Sequence, residues 1–192
     1  GDGYDDQVNA IKSSNSPYMQ LLVGLYNPSK QTYERSTVIL TEISQVRTFS
    51  YTGIDLTGTH KTALVYQGFA ENGNSVMQVF HISRNMRDSL QAPILQRIAS
   101  LKSDGTIFIQ QVDRDDSYMT SQSSGTPYPI WTYSSDSSNP ESTDQIQTRW
   151  EWNSSSHVYV QSEQIRVTGS LIAARELAKI QDGTVDTFAN FL

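Results

Sequence analysis

The chain has no cysteine, which excludes disulfides, thiolate zinc sites and a cysteine nucleophile in one step. Histidine is almost as scarce. His60, His81 and His157 stand alone, with no His-Glu-x-x-His and no histidine pair four apart, so a metal-dependent hydrolase lacks its usual ligand spacing. No Gly-x-Ser-x-Gly elbow marks a serine nucleophile among the many serines. Basic residues are outnumbered, 14 Lys and Arg against 20 Asp and Glu, and do not cluster. At a net charge of −6 a phosphate backbone is repelled, and nucleic acid is not an expected partner. No apolar run approaches the roughly 20 residues that cross a bilayer as a helix, and no charged segment followed by an apolar one opens the chain. Charged residues make up only 18%, whereas disordered chains combine low hydrophobicity with high charge; with many aromatics present, a folded chain is expected.

Ser, Thr, Asn, Gln and short β-branched runs fill the space left by charge. The chain is organised around residues 47–82. Val46 to Thr52 and Thr62 to Phe69 are rich in β-branched and aromatic residues, which pack well on a pleated surface. Between them Asp55-Leu-Thr-Gly-Thr-His60 reads as a tight turn, in which Asp55 and Thr57 bond backbone amides and Gly58 takes a positive φ. Glu71-Asn-Gly-Asn74 carries the Asn-Gly pair of hairpin turns. Ala63, Val65 and Phe69 alternate with Leu64 and Tyr66, and Val76 and Phe80 with Met77 and Val79. Both faces of this meander are therefore expected to be covered, as when small sheets stack.

In chain order, residues 1–16 read as a polar lead, frayed or forming a short helix. Residues 17–169 read as a β-rich domain of about ten strands. Its first hairpin runs from Tyr18–Tyr26 through Asn27-Pro28 to Thr32–Leu40. Residues 83–92 read as a loop. Asp104-Gly105 between two apolar runs predicts another hairpin. Asp113 to Thr126 and Ser134 to Thr143 read as acidic and Ser-rich surface loops, with the Asp113, Asp115 and Asp116 group solvated. Pro129 suits an edge strand. Alternation places Ile146, Thr148, Trp150 and Trp152 on one face and Gln147, Arg149 and Glu151 on the other. Residues 170–192 read as a helical segment: Ser170 is the expected N-cap, Leu171, Ala174, Leu177 and Ala178 form one stripe, and Val185, Phe188 and Leu192 face inward. The fold class expected is all-β, stacked antiparallel hairpins and meanders in a propeller-like or sandwich arrangement, with a short C-terminal helix.

Two sets of residues are candidate sites. Tyr118, Tyr128, Trp131 and Tyr133 lie beside the Ser-rich loops and resemble binding paratopes in composition. The competing reading buries Trp131, Trp150 and Trp152 in core packing. Asp55, Thr57 and Thr59 occupy positions where calcium loops place oxygens. One carboxylate followed by His60 and Lys61 is little charge to offset calcium's dehydration, so a structural turn is the expectation and calcium the weaker alternative. No cofactor is expected.

The order of strand, Asp-x-Thr-Gly loop and strand ending near Gly68-Phe69 resembles one FG-GAP type repeat of integrin-like β-propellers. Longer phrases also resemble the pallilysin-related adhesins of treponemes. They are residues 21–28, 46–52 with 55–58, 104–111, 129–133, 144–146 and 180–185. The resemblance implies an exported or lipid-anchored envelope protein, periplasmic or outer-membrane associated, whose β-rich part precedes a barrel-like part downstream. It implies binding of host components as an adhesin. The alternative it leaves open is a scaffold module docking to its own downstream part or to an envelope partner. The pallilysin protease motif is not found, so no enzymatic activity carries over and no site residues are transferred. The opening Gly1-Asp-Gly3 and the apolar ending at Phe191-Leu192 are read as internal to a longer protein, with any membrane anchor upstream.

Overall fold

The computed structural model describes residues 6–28, 30–33, 37–83 and 94–181. It contains thirteen strands among those residues, in four antiparallel sheets. The first sheet, in the order β1-β2-β5, joins Gln7–Lys12, Met19–Gly24 and Thr37–Leu40. A two-stranded ribbon of β3 (Tyr26–Asn27) and β4 (Thr32–Tyr33) extends the hairpin beyond it. The second main sheet, a four-stranded meander, runs through β6 (Ser50–Ile54), β7 (Ala63–Phe69), β8 (Ser75–Ser83) and β9 (Ile94–Ser103). The third runs through β10 (Ile107–Ile109), β11 (Ile130–Ser135), β12 (Gln145–Asn153) and β13 (Val158–Val167). Two helices, α1 (Asp116–Met119) and α2 (Gly169–Gln181), complete the described chain.

The sheets stack in layers, and the middle meander is covered on both faces. Ala63, Val65, Met77 and Val79 pack with Ile107, Ile130 and Tyr159 of the third sheet, whereas Leu64, Tyr66, Val76 and Phe80 pack with Leu21, Val23 and Ile39 of the first. The alternation in the sequence thus maps onto two separate cores. Phe69, expected to be covered with Ala63 and Val65, is instead exposed at the end of β7. No sheet closes on itself and no ring of blades forms among the described residues, so the layered form of the expected architecture is the one present.

A β-bulge adjusts the central core. Val79 pairs with Ala99 and Phe80 with Arg97, so Ile98 is the extra residue; Ile98 and Ala99 then both reach the same buried cluster. In the other cluster the Tyr66 hydroxyl is buried without a hydrogen-bond partner among the described residues, and burial, with Glu42 adding to it, pushes its pKa up. Removing an unpaired buried hydroxyl removes its desolvation cost. Tyr66→Phe is therefore expected to raise stability by on the order of 1 kcal/mol in urea unfolding, and a loss of stability would show that the hydroxyl has a partner.

Several local expectations are corrected. Residues 7–12 are neither frayed nor helical but form β1, paired with β2 from Gln7↔Gly24 to Lys12↔Met19. Val46–Thr48 is a single 3₁₀ turn before β6 begins at Ser50. At residues 70–74, Ala70 N–H bonds the Asn74 carbonyl and Gly73 N–H bonds Ala70. Positive φ is confined to Gly73, which makes a bulged three-residue connection rather than a two-residue turn. Asp104-Gly105 is not a hairpin. It is the corner at which the chain leaves the second sheet, where β9 pairs with β8, and enters the third, where β10 pairs with β11. Gly105 is required there because a Cβ would lie 2.3 Å from the Tyr133 carbonyl oxygen. Pro129 precedes β11, which is a central strand. Helix α2 starts at Gly169, two residues before Leu171, with its first amide held by Asp144 Oδ1 at 2.9 Å instead of by Ser170. Residues 84–93 and 182–192, with the inward-facing role of Val185, Phe188 and Leu192, lie outside the described residues.

Candidate functional site

The Asp55 turn forms with Gly58 at positive φ, although the Thr57 hydroxyl bonds the Asp55 carboxylate and the Thr59 hydroxyl rather than an amide, and the carboxylate is fully engaged. Oδ1 accepts from Gly58 N at 2.9 Å and Thr59 N at 3.3 Å, and Oδ2 accepts from His60 N at 2.6 Å. Thr57 and Thr59 come together, with hydroxyl oxygens 2.8 Å apart. The positive charge beside Asp55 is Arg114, whose Nη1 lies 3.8 Å from Oδ2 in a buried pair, the two side chains 5% and 12% exposed. Donor N–H groups and a guanidinium surround this carboxylate, an environment that repels a cation. No group of three or more His, Asp or Glu with metal-site geometry occurs among the described residues.

Arg114 organises the connector that the sequence presents as a free loop. Its guanidinium donates to the Asp55 carbonyl at 2.7 Å, to the Thr126 carbonyl at 2.9 Å and to the Tyr118 hydroxyl at 2.7 Å. It lies over two aromatic rings, 3.9 Å from the centroid of Tyr128 and 4.5 Å from that of Tyr118. The Tyr118 hydroxyl in turn donates to Asp55 Oδ2 at 2.9 Å, and His60 stacks on the Tyr118 ring at 4.4 Å. Burial and the bond to Asp55 hold the Tyr118 phenol above its ordinary pKa, so it stays protonated. Backbone bonds close the clamp: Gly125 N to Gly58 O and Tyr128 N to Leu56 O, each 2.8 Å. Asp115 is exposed, as expected of the acidic group, and it also caps α1, accepting from the Ser117 hydroxyl and from Tyr118 N, bonds that hold its carboxyl below the usual range.

The second connector is tied as well. Asp136 Oδ1 accepts from Ser138 N at 2.9 Å and from its hydroxyl at 2.6 Å, bonds that lower the Asp136 pKa. Arg166 Nη2 bridges Asp136 at 2.9 Å and Asp144 at 3.0 Å.

The four aromatic candidates therefore divide. Tyr118 and Tyr128 sandwich Arg114. Trp131 and Tyr133, two apart on β11, share the outer face of the third sheet, away from the stack. The register sets Phe108, Trp131, Arg149 and Glu163 in one row across that sheet and Tyr133, Gln147 and Ile165 in the next. Trp131 and Tyr133 rings are 6.5 Å apart, Phe108 meets Tyr133 edge-on at 5.2 Å, Arg149 lies 5.9 Å over Trp131, and the indole donates to Gln110 Oε1 at 2.8 Å. Arg149 also pairs with Glu151 at 2.9 Å. Trp150 and Trp152 point inward against the core, as their alternation indicates. Sequence reasoning missed Phe108, Gln110 and Arg149 as members of this face, because the cross-strand register that gathers them is not local. It missed Arg114 too, although one arginine inside Asp113-Arg-Asp-Asp116 is the signal.

On the inner side, His81 lies beside Trp152 at 5.9 Å, and its Nε2 is buried without a hydrogen-bond partner among the described residues. Burial, then Lys61, lowers its pKa from 6.5. The folded state thus binds this proton less readily than the unfolded chain. The stability contributed by neutral His81 is complete above about pH 6.5 and is lost as pH falls toward the folded value. Urea unfolding is expected to show lower stability at pH 5 than at pH 7, with a smaller difference in His81→Leu; an unchanged difference would assign it to other groups.

No protein-family model matches this chain, and neither a curated protein nor a solved structure gives a significant match.

Proposed function

We propose that this chain is a non-enzymatic interaction module of an envelope protein, which docks a protein partner on the outer face of the β10–β13 sheet. The observation that carries the reading is the grouping of Phe108, Trp131, Tyr133 and Arg149, all partly exposed, on one sheet face with Gln110, Glu151 and Glu163 at its margin. Protein interfaces concentrate binding energy in Trp, Tyr and Arg within a polar rim. The connectors around Asp113 to Thr126 and Ser134 to Thr143 are held by buried or bridging arginines, which favours the sheet over the loops as the contact surface. The resemblance to treponemal adhesins supports an envelope setting and a host matrix partner.

The test is binding of the folded chain to immobilised laminin, fibronectin and fibrinogen. Saturable binding to one of them is expected, weakened at least roughly 30-fold by Trp131→Ala and by Arg149→Glu, the scale of a hot-spot residue. Absence of binding, or binding indifferent to both substitutions, counts against this reading. Exposed Leu171 and Leu177 on α2 favour the second reading, a scaffold module docked to its own downstream part or to an envelope partner. Truncation after Thr168 separates the two, since co-purification from cells of an envelope partner is then lost while matrix binding is kept.

A further inference from the structure

Strand β13 bonds to β12 along one side and has no strand on its other side among the described residues. It is ten residues long, and the seven from Val160 to Arg166 are all exposed. Long free edges usually carry devices against pairing, such as proline, lysine, inward charge or brevity. Here there is no proline or lysine, and Arg166 is already committed to Asp136 and Asp144. Glu163 is the one charge left to guard the edge.

The sequence of this edge, Val158-Tyr-Val-Gln-Ser-Glu-Gln-Ile-Arg-Val167, reads nearly the same in both directions about the Ser162-Glu163 bond. Laid antiparallel on itself, it sets Val158 opposite Val167, Val160 opposite Ile165 and Gln161 opposite Gln164. In a regular strand such partners, an odd number of residues apart, point to opposite faces and the pairing fails. The bulge removes that conflict. Arg149 pairs with Glu163 and Trp150 with Gln161, so Ser162 is extra and the alternation shifts at the centre of the palindrome. Val160 and Ile165 consequently share the outer face, as the partners of Glu151 and Gln147, and they are 36% and 39% exposed.

From this register we infer that β13 is a homodimer edge. Two copies of the chain pair their β13 strands antiparallel about a two-fold axis at Ser162-Glu163, which fuses two four-stranded sheets into one of eight strands. The contact is isologous, each Val160 covering the other copy's Ile165, and it satisfies the outward backbone groups of both edges. The two Glu163 carboxylates approach the axis, each with Arg149 beside it across its own sheet. The inference is independent of the partner-binding reading.

Sedimentation equilibrium of the full 192-residue chain provides the test. The expected result is a mass that doubles with concentration, a dissociation constant at least about tenfold weaker in Val160→Lys and in Ile165→Glu, and recovery in the double variant, where each introduced lysine faces an introduced glutamate. Both sites are exposed, so the monomer fold should tolerate the changes, which circular dichroism checks. A single-chain mass at every concentration overturns the proposal. So does a dimer indifferent to the single substitutions, or a double variant no tighter than the singles.

Discussion

Arg114→Ala is expected to cost about 3–5 kcal/mol, the range for removing one member of a buried ion pair. The loss exceeds that of a surface bridge because the guanidinium is 95% covered and satisfies three separate chain segments: the Asp55 and Thr126 carbonyls and the Tyr118 hydroxyl. Its removal leaves the largely covered Asp55 carboxylate without its counter-charge. A midpoint fall of roughly 10 °C follows for a chain of this size. Combining Arg114→Ala with Asp55→Ala should cost less than the sum of the two, since each single change already dissolves the same network. Urea unfolding of the four proteins of this cycle measures both quantities. A loss below about 1 kcal/mol would mean that the pair is solvent-screened and that the connector stands without it.

Gly58→Ala is the second large effect. Gly58 sits at φ +70°, and a Cβ there would lie 2.0 Å from the Gly125 carbonyl oxygen, a backbone atom that cannot swing aside. A left-handed alanine costs about 1–2 kcal/mol, and pushing the two turns apart breaks the Gly125 N to Gly58 O bond, worth about 1 kcal/mol more. About 2–3 kcal/mol in total is expected by urea unfolding. Gly73→Ala is the control, because Gly73 has a similar φ of +83° but open space around it, so its cost should stay near the backbone term alone. Equal losses at the two glycines would show that the approach of the two turns carries no energy.

How much of this was legible in the sequence follows from the range of each interaction. The Asp55 turn, the double-faced meander and the inward set of Ile146, Thr148, Trp150 and Trp152 depend on neighbours a few residues away, and period-two alternation reported them faithfully. Asp104-Gly105 misled because its local signal is the same whether the following strand returns to its own sheet or joins the next one. What decides is the Tyr133 N–H bond to the Thr106 carbonyl, made by a strand 27 residues further on. The acidic residues of the connector are exposed, as composition indicates, but composition cannot show that Arg114 among them turns inward. Tyr118 and Tyr128 stand out in the sequence as aromatics in a polar stretch, yet their rings serve a cation of the same chain. Of the four aromatics, Trp131 and Tyr133 are the two that lie together on the outer face of the third sheet.

A clamped connector also explains how a module so rich in serine can present a firm surface. The third sheet is anchored to the β6–β7 turn of the second through the Leu56 carbonyl, which takes the Tyr128 amide at 2.8 Å and the Tyr159 hydroxyl at 3.3 Å. Under the proposed function, a partner docking on the outer face would order little that is not already ordered, which favours affinity.

Amide hydrogen exchange at Gly125 and Tyr128 is the most direct test that the connector is part of the fold. These two N–H groups donate across the clamp to Gly58 and Leu56. The account expects both to exchange slowly, near the rate set by global unfolding, and to become fast in Arg114→Ala. Exchange in the unaltered protein at the rate of an unstructured chain would contradict it.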